Sequence, residues 1–131
     1  MSYKKYKLAL PMALAALVAS QSVLAKSSQY FEHIREACDM ISEDLLRSQH
    51  YDNNCSFYMS SAGDHLKHAS LMISKEQYKQ AVIDLVRAEE RLRTAESQPE
   101  KCAYFSSIAR GYIGQVMMNK DALERLELNE Q

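Results

Sequence analysis

The sequence predicts an all-α protein, a four-helix antiparallel bundle or two stacked helical hairpins, with one disulfide. Three observations lead there. Apolar residues recur at spacings of three and four through four successive segments, the period of an amphipathic helix. No segment alternates at period two for long enough to make a strand, and 3 Gly and 2 Pro in 131 residues leave few turns for a β-sandwich or barrel. The links between segments are short, which makes neighbouring helices antiparallel.

The first helix is carried by Tyr30, Ile34, Ala37, Cys38, Ile41 and Leu45, one face of a 3.6-residue period. Glu32, Arg35, Glu36, Asp39, Glu43 and Arg47 occupy the opposite face. Asp52-Asn53-Asn54 reads as a turn. The second helix begins near Cys55, and its stripe is Tyr58, Ala62, Leu66, Ala69, Met72 and Ile73. Gly63 inside it costs about 1 kcal/mol against Ala. Ser74 and Gln77 have the spacing of a capping box that opens the third helix, with Ile73 and Tyr78 placed for a hydrophobic staple. That helix buries Tyr78, Ala81, Val82, Leu85, Ala88, Leu92 and Ala95, and its outer face is assigned Lys79, Asp84, Arg87, Glu90, Arg91 and Arg93. Glu89 and Arg93 form an i,i+4 pair in the favourable order. Ser97 and Glu100 repeat the capping-box spacing before the fourth helix, and Pro99 suits a first turn. Phe105, Ile108, Ala109, Tyr112, Ile113, Val116 and Met117 make its stripe. Gly111 and Gly114 read as points of close helix packing, and Asn119-Lys120-Asp121 as a kink or an end before Leu123 and Leu126.

Ahead of these helices lies an address. Lys4, Lys5 and Lys7 precede an apolar run from Leu8 to Ala19, and Val23-Leu24-Ala25 follows. A positive start, a short apolar run and small residues at the cut make a secretory signal peptide over 1–25. The run has about 12 residues where a spanning helix needs about 20, and no Cys follows it to accept a lipid. Residues 26–131 are then a single helical domain with no membrane insertion. The leader contains three lysines and no acid, so the remainder is more acidic than the whole chain, whose net charge is −1. That balance supplies no footprint for nucleic acid. The short positive start and alanine-rich core point to the periplasm. A secreted eukaryotic protein is the alternative, in which Asn54-Cys55-Ser56 would be a glycosylation acceptor.

Three cysteines allow three pairings, and topology selects among them. Cys55 and Cys102 open the second and fourth helices, so both lie at one end of an up-down-up-down bundle. Cys38 sits mid-helix, about 11 residues and hence about 16 Å from that end, whereas a disulfide spans a Cα separation of about 4.4–6.8 Å. The predicted bridge is therefore Cys55–Cys102, with Cys38 a buried free thiol.

Candidate chemistry is sparse. His65 and His68, three apart beside Asp64, are candidate metal ligands. Met40, Met59, Met72, Met117 and Met118 offer thioethers suited to copper. Two imidazoles do not complete a coordination sphere, and no cofactor is expected. There is no G-x-S-x-G, P-loop, Rossmann fingerprint, H-E-x-x-H or C-x-x-C-H. The expectation is a non-enzyme, to be revisited if a pocket gathers His, Asp and Ser. Six tyrosines follow the leader (Tyr30, Tyr51, Tyr58, Tyr78, Tyr104, Tyr112), a residue type enriched at interfaces. Their distribution places a candidate partner contact at the disulfide end, with His50, Tyr51, Tyr58 and Tyr104.

The run Gln77-Tyr78-Lys79-Gln80-Ala81-Val82-Ile83-Asp84-Leu85-Val86-Arg87-Ala88 resembles the second helix of a tetratricopeptide repeat. Tyr78, Ala81, Leu85 and Ala88 match that family's packing positions, and Ala69 the small position of its first helix. The resemblance implies a helical hairpin over about a quarter of the chain. His65 and His68 stand where that family carries large apolar residues, the closing Pro is absent, and there is one unit where such arrays need about three.

The expected function is therefore that of a small soluble exported protein acting on an envelope protein, as adaptor, inhibitor or immunity protein, or stress chaperone. The alternative is a carrier of copper, zinc or a small ligand using His65, His68 and nearby Met. Partner identity and oligomeric state stay open.

Overall fold

The computed structural model describes residues 28–50 and 54–130, without the side chains of residues 50 and 130. The expected leader over 1–25, Tyr51 and the turn residues Asp52 and Asn53 lie outside the described residues. Four helices pack on one another: α1 over 28–46, which runs into a 3-10 turn at Arg47–His50, α2 at Asn54–Ser74, α3 at Tyr78–Glu96 and α4 at Ala103–Glu130. The packed unit runs over Phe31–Gln131. No strand occurs among the described residues. The all-α fold with one bridge is as the periodicity predicts.

Each helix buries the stripe its spacing selects, with shifts of one position. Phe31 takes the buried place expected of Tyr30, which is exposed, and Met59 goes deeper than Tyr58. Leu66, Leu85, Leu92, Val116 and Leu123 are fully buried, and removing one such side chain costs about 2–5 kcal/mol. Alanines recur at heptad spacing on the buried stripes of the two packed helices α2 and α3: Ala62 and Ala69 on one, Ala81, Ala88 and Ala95 on the other, all fully buried. Small side chains at such a seam bring the helix axes close. The same logic accounts for Gly63. A Cβ there would meet Leu46 Cγ at 3.0 Å and Leu45 Cβ at 3.2 Å, and Ser42 Oγ donates to the Gly63 carbonyl at 2.7 Å. Gly63 is thus where α1 lies against α2. At the far end of α1, Phe31 stacks on Tyr78 of α3 with ring centroids 4.2 Å apart.

Both expected capping boxes are corrected. Ser74 belongs to α2, and its hydroxyl donates to the Leu71 carbonyl. α3 begins at Tyr78, after Gln77, which makes no side-chain cap. The α2–α3 link is closed by backbone bonds instead. Gln77 N–H donates to the Met72 carbonyl at 2.8 Å and Glu76 N–H to the Ile73 carbonyl at 3.0 Å, the paired bonds of a Schellman ending. That ending needs a left-handed residue, and Glu76 supplies it at φ 60°. Ser97 likewise ends α3 rather than starting α4, and the Glu96 carbonyl accepts from the buried Ser106 hydroxyl at 3.0 Å.

Two further expectations are corrected. α4 runs unbroken through Asn119-Lys120-Asp121, held by the fully buried Leu123 beyond them. Gly111 and Gly114 are exposed, and a Cβ at either would meet nothing within 4 Å, so neither is a packing point within the bundle.

Candidate functional site

The bundle order brings the end of α1, the start of α2 and the start of α4 together. Cys55 and Cys102 sit there at disulfide distance, with Cα atoms 5.6 Å apart, as the topology predicts. Both are buried. Cys38 is the free cysteine, buried mid-helix. Burial pushes its thiol up to about 12, with Asp39 adding in the same direction, so it remains protonated and unreactive at neutral pH.

Beside the bridge, a cleft of about 480 Å³ opens between α1 and α4. Leu45 and Met59 form an apolar floor with Phe105 and Ile108. The rim is polar, made of Asp44, Arg47, Tyr104 and Tyr112, and the buried Ser48 completes the lining. The Tyr112 hydroxyl donates to Asp44 Oδ2, and Arg47 Nη1 lies 3.1 Å from Asp44 Oδ1. Burial, and then the hydrogen bond to Asp44, pushes the Tyr112 hydroxyl up to about 12. It stays a donor, and one carboxylate fastens α1 to α4 at the mouth. An apolar floor with a few convergent polar groups is what a recognition pocket for a ligand or an anchoring side chain requires.

The residues expected at this end separate. Tyr104 is exposed and lines the cleft. Tyr58 is half-buried, its ring edge-on to the exposed Phe57. His50 ends the 3-10 turn, and Tyr51 lies outside the described residues. Asp44, Ile108 and Tyr112 were not marked as site residues by the sequence. The signal was available: the topology that paired Cys55 with Cys102 also sets the last turn of α1 against the first turns of α4.

The second candidate site resolves differently. His68 on α2 reaches across to α3, where its Nδ1 lies 2.6 Å from Asp84 Oδ2. Asp84, expected on the wet face, is instead buried: its side chain is 3% exposed, while that of His68 is 47% exposed. The reason lies in position and partner. Asp84 stands three after Ala81 and four before Ala88, on the buried stripe, and an imidazole on the neighbouring helix satisfies the carboxylate. His65 is half-buried, and burial holds its imidazole below the ordinary histidine range. Arg87 and Arg91 push the same way, against Asp84 and Asp64. The methionines scatter. Met59 is in the cleft floor, Met117 sulfur accepts from Arg93 Nη2 at 3.3 Å, and Met40 and Met118 are exposed. Among the described residues, no group of three or more His, Cys, Asp or Glu is placed to hold a metal ion.

His68 also borders a shallow groove of about 550 Å³ between α1 and α2, with Arg35 and Asp39 on one side and Asp64, Lys67 and Ser74 on the other. This groove does gather His, Asp and Ser. The Ser74 hydroxyl, however, donates to the Leu71 carbonyl rather than toward the imidazole, and the Arg35 guanidinium is bonded to Glu32 and to Asp39. Ser70, which also borders the groove, is buried. A nucleophile needs a base within hydrogen-bond reach, and Ser74 does not present that pairing.

Among the described residues no helix is long and apolar enough to cross a membrane. No protein-family model matches the chain, and comparison with curated proteins and with solved structures finds no match.

Proposed function

We propose that this chain is a small exported helical protein that acts by binding a partner protein, receiving an apolar anchor side chain of that partner in the cleft between α1 and α4. The observation that carries this reading is the cleft itself, with Leu45, Met59, Phe105 and Ile108 as its floor and Asp44, Arg47 and Tyr112 at its mouth. Anchors of protein interfaces fill desolvated pockets of this kind, surrounded by polar groups that fix orientation. The paired Cys55 and Cys102 support export, because such bridges persist in oxidising compartments. The positive start and short apolar run of residues 1–25 support the same route, and the alanine-rich core of that segment favours the periplasm.

The test is site-specific photo-crosslinking in the native envelope. A benzoylphenylalanine at Arg47, exposed on the rim, is expected to capture a discrete partner that the same group at Lys79, on α3, does not. Ile108→Trp, which fills the cleft, is expected to abolish the capture with helicity unchanged. Identical products from both positions, or capture indifferent to Ile108→Trp, would refute the reading.

A further inference from the structure

All the arginines of the chain lie among the described residues, and all but Arg87 and Arg91 have a polar partner. Arg35 is bonded to Glu32 and Asp39, Arg47 to Asp44, Arg93 to Glu89 and Arg110 to Glu96, while Arg125 donates to the Asp121 carbonyl. Arg87 and Arg91 are exposed on α3, and among the described residues no acid forms an ion pair with either. Glu90, between them in sequence, stands on the opposite side of Arg87 from Arg91 at 3.6 residues per turn. Residues four apart share one helix face with Cβ atoms about 5–6 Å apart, where two like charges weaken a helix. The fold itself gains nothing from this pair.

The α2–α3 hairpin carries polar groups of α2 past the same face. His68 meets Asp84 across the hairpin at 2.6 Å. In antiparallel helices a step back along α2 matches a step forward along α3, so His65 comes level with Arg87, and Ser61, a turn further, with Arg91. Both α2 residues are half-buried. Burial first holds the His65 imidazole low, and the fields of Arg87 and Arg91 reach it as well. The nearby acids are committed elsewhere: Asp84 is buried against His68, and Asp64 lines the groove toward α1.

We propose that Arg87 and Arg91, with Ser61 and His65 beside them, form a binding site for the phosphate group of a phosphomonoester. One guanidinium fork satisfies a carboxylate, as Arg93 does for Glu89. Two forks on one face match a group with three terminal oxygens and a charge near −2. The Ser61 hydroxyl and a ring N–H of the neutral His65 add donors at the same level. The site is local, on a chain whose net charge is −1. It shares no residue with the cleft between α1 and α4, so it stands whether or not a partner's side chain enters that cleft.

The purified chain, with Cys55 and Cys102 bridged, is titrated at neutral pH and fixed ionic strength with glycerol phosphate, with vesicles of phosphatidic acid in phosphatidylcholine, and with acetate. Saturable binding of a phosphate probe is expected. Arg87→Gln/Arg91→Gln should weaken it at least about tenfold, the scale of losing one charge-assisted hydrogen bond, with an unchanged far-UV circular dichroism spectrum, while Lys79→Gln should leave it intact. The bound anion offsets the field of the two arginines, so the titration of His65, followed by NMR, should move upward at saturation. Saturation by glycerol phosphate assigns the site to a soluble phosphomonoester; binding to the vesicles alone assigns it to a lipid headgroup. Saturation by neither phosphate probe, acetate binding as tightly, indifference to the double variant, or saturation with His65 unmoved would each overturn the proposal.

Discussion

The His68–Asp84 contact makes an asymmetric prediction. Its two ends differ in environment: the Asp84 side chain is 3% exposed and that of His68 47%. Removing the histidine strands a buried carboxylate. A broken buried pair costs about 3–5 kcal/mol when no water reaches it; the half-open position of His68 admits water, which brings the expected loss for His68→Ala down to about 2 kcal/mol. Removing the aspartate strands only an imidazole that already faces solvent, and it places an alanine in a stripe of alanines. Asp84→Ala is therefore expected to cost about 1 kcal/mol or less. The double variant should resemble Asp84→Ala, because nothing remains to strand, so the two losses should fail to add. Urea unfolding of the three variants at neutral pH measures each quantity. Asp84→Ala costing more than His68→Ala, or strictly additive losses, would refute the reasoning.

Three further outcomes are expected. Replacing Cys55 and Cys102 together by Ser opens a loop with sequence separation 47; the chain-entropy relation assigns about 4 kcal/mol to it, and urea midpoints of the oxidised protein and the double variant give the difference. Glu76→Gly should raise the thermal midpoint, since it relieves a non-glycine residue held at φ 60°, a strain of about 1 kcal/mol; Glu76→Ala should bring no such gain. Cys38, whose thiol is pushed up to about 12 by burial, should resist iodoacetamide at pH 8 and react at once in denaturant, as mass spectrometry of the labelled chain will show.

The features legible in the sequence are those that one helix, or the order of helices, determines. The buried faces follow from period. The Cys55–Cys102 bridge follows from two helix starts sharing an end. What stayed hidden depends on a neighbour that periodicity does not see. Asp84 lay on the buried stripe by spacing, yet only the imidazole of His68 on α2 makes that burial tolerable. Gly63, Gly111 and Gly114 look alike in the sequence; only the approach of Leu45 and Leu46 separates the first from the other two. Ser74 and Gln77 mimicked a helix start because the true ending is made of backbone bonds around Glu76, a residue with no turn signature of its own. The meeting of the end of α1 with the start of α4 follows from the helix order, but the hollow between them depends on how Leu45, Met59, Phe105 and Ile108 fill that meeting, which periodicity does not give.

α1 stands outside the loop that the bridge closes, since that loop begins at Cys55. It stays in place through Phe31 on Tyr78, Ser42 on Gly63 and Asp44 on Tyr112. This one helix and its 3-10 extension supply Asp44, Leu45, Arg47 and Ser48 to the cleft, and Arg35 and Asp39 to the groove near His68. The two hollows therefore share one wall, and that wall lies outside the covalent loop, so loosening of α1 would take both apart at once.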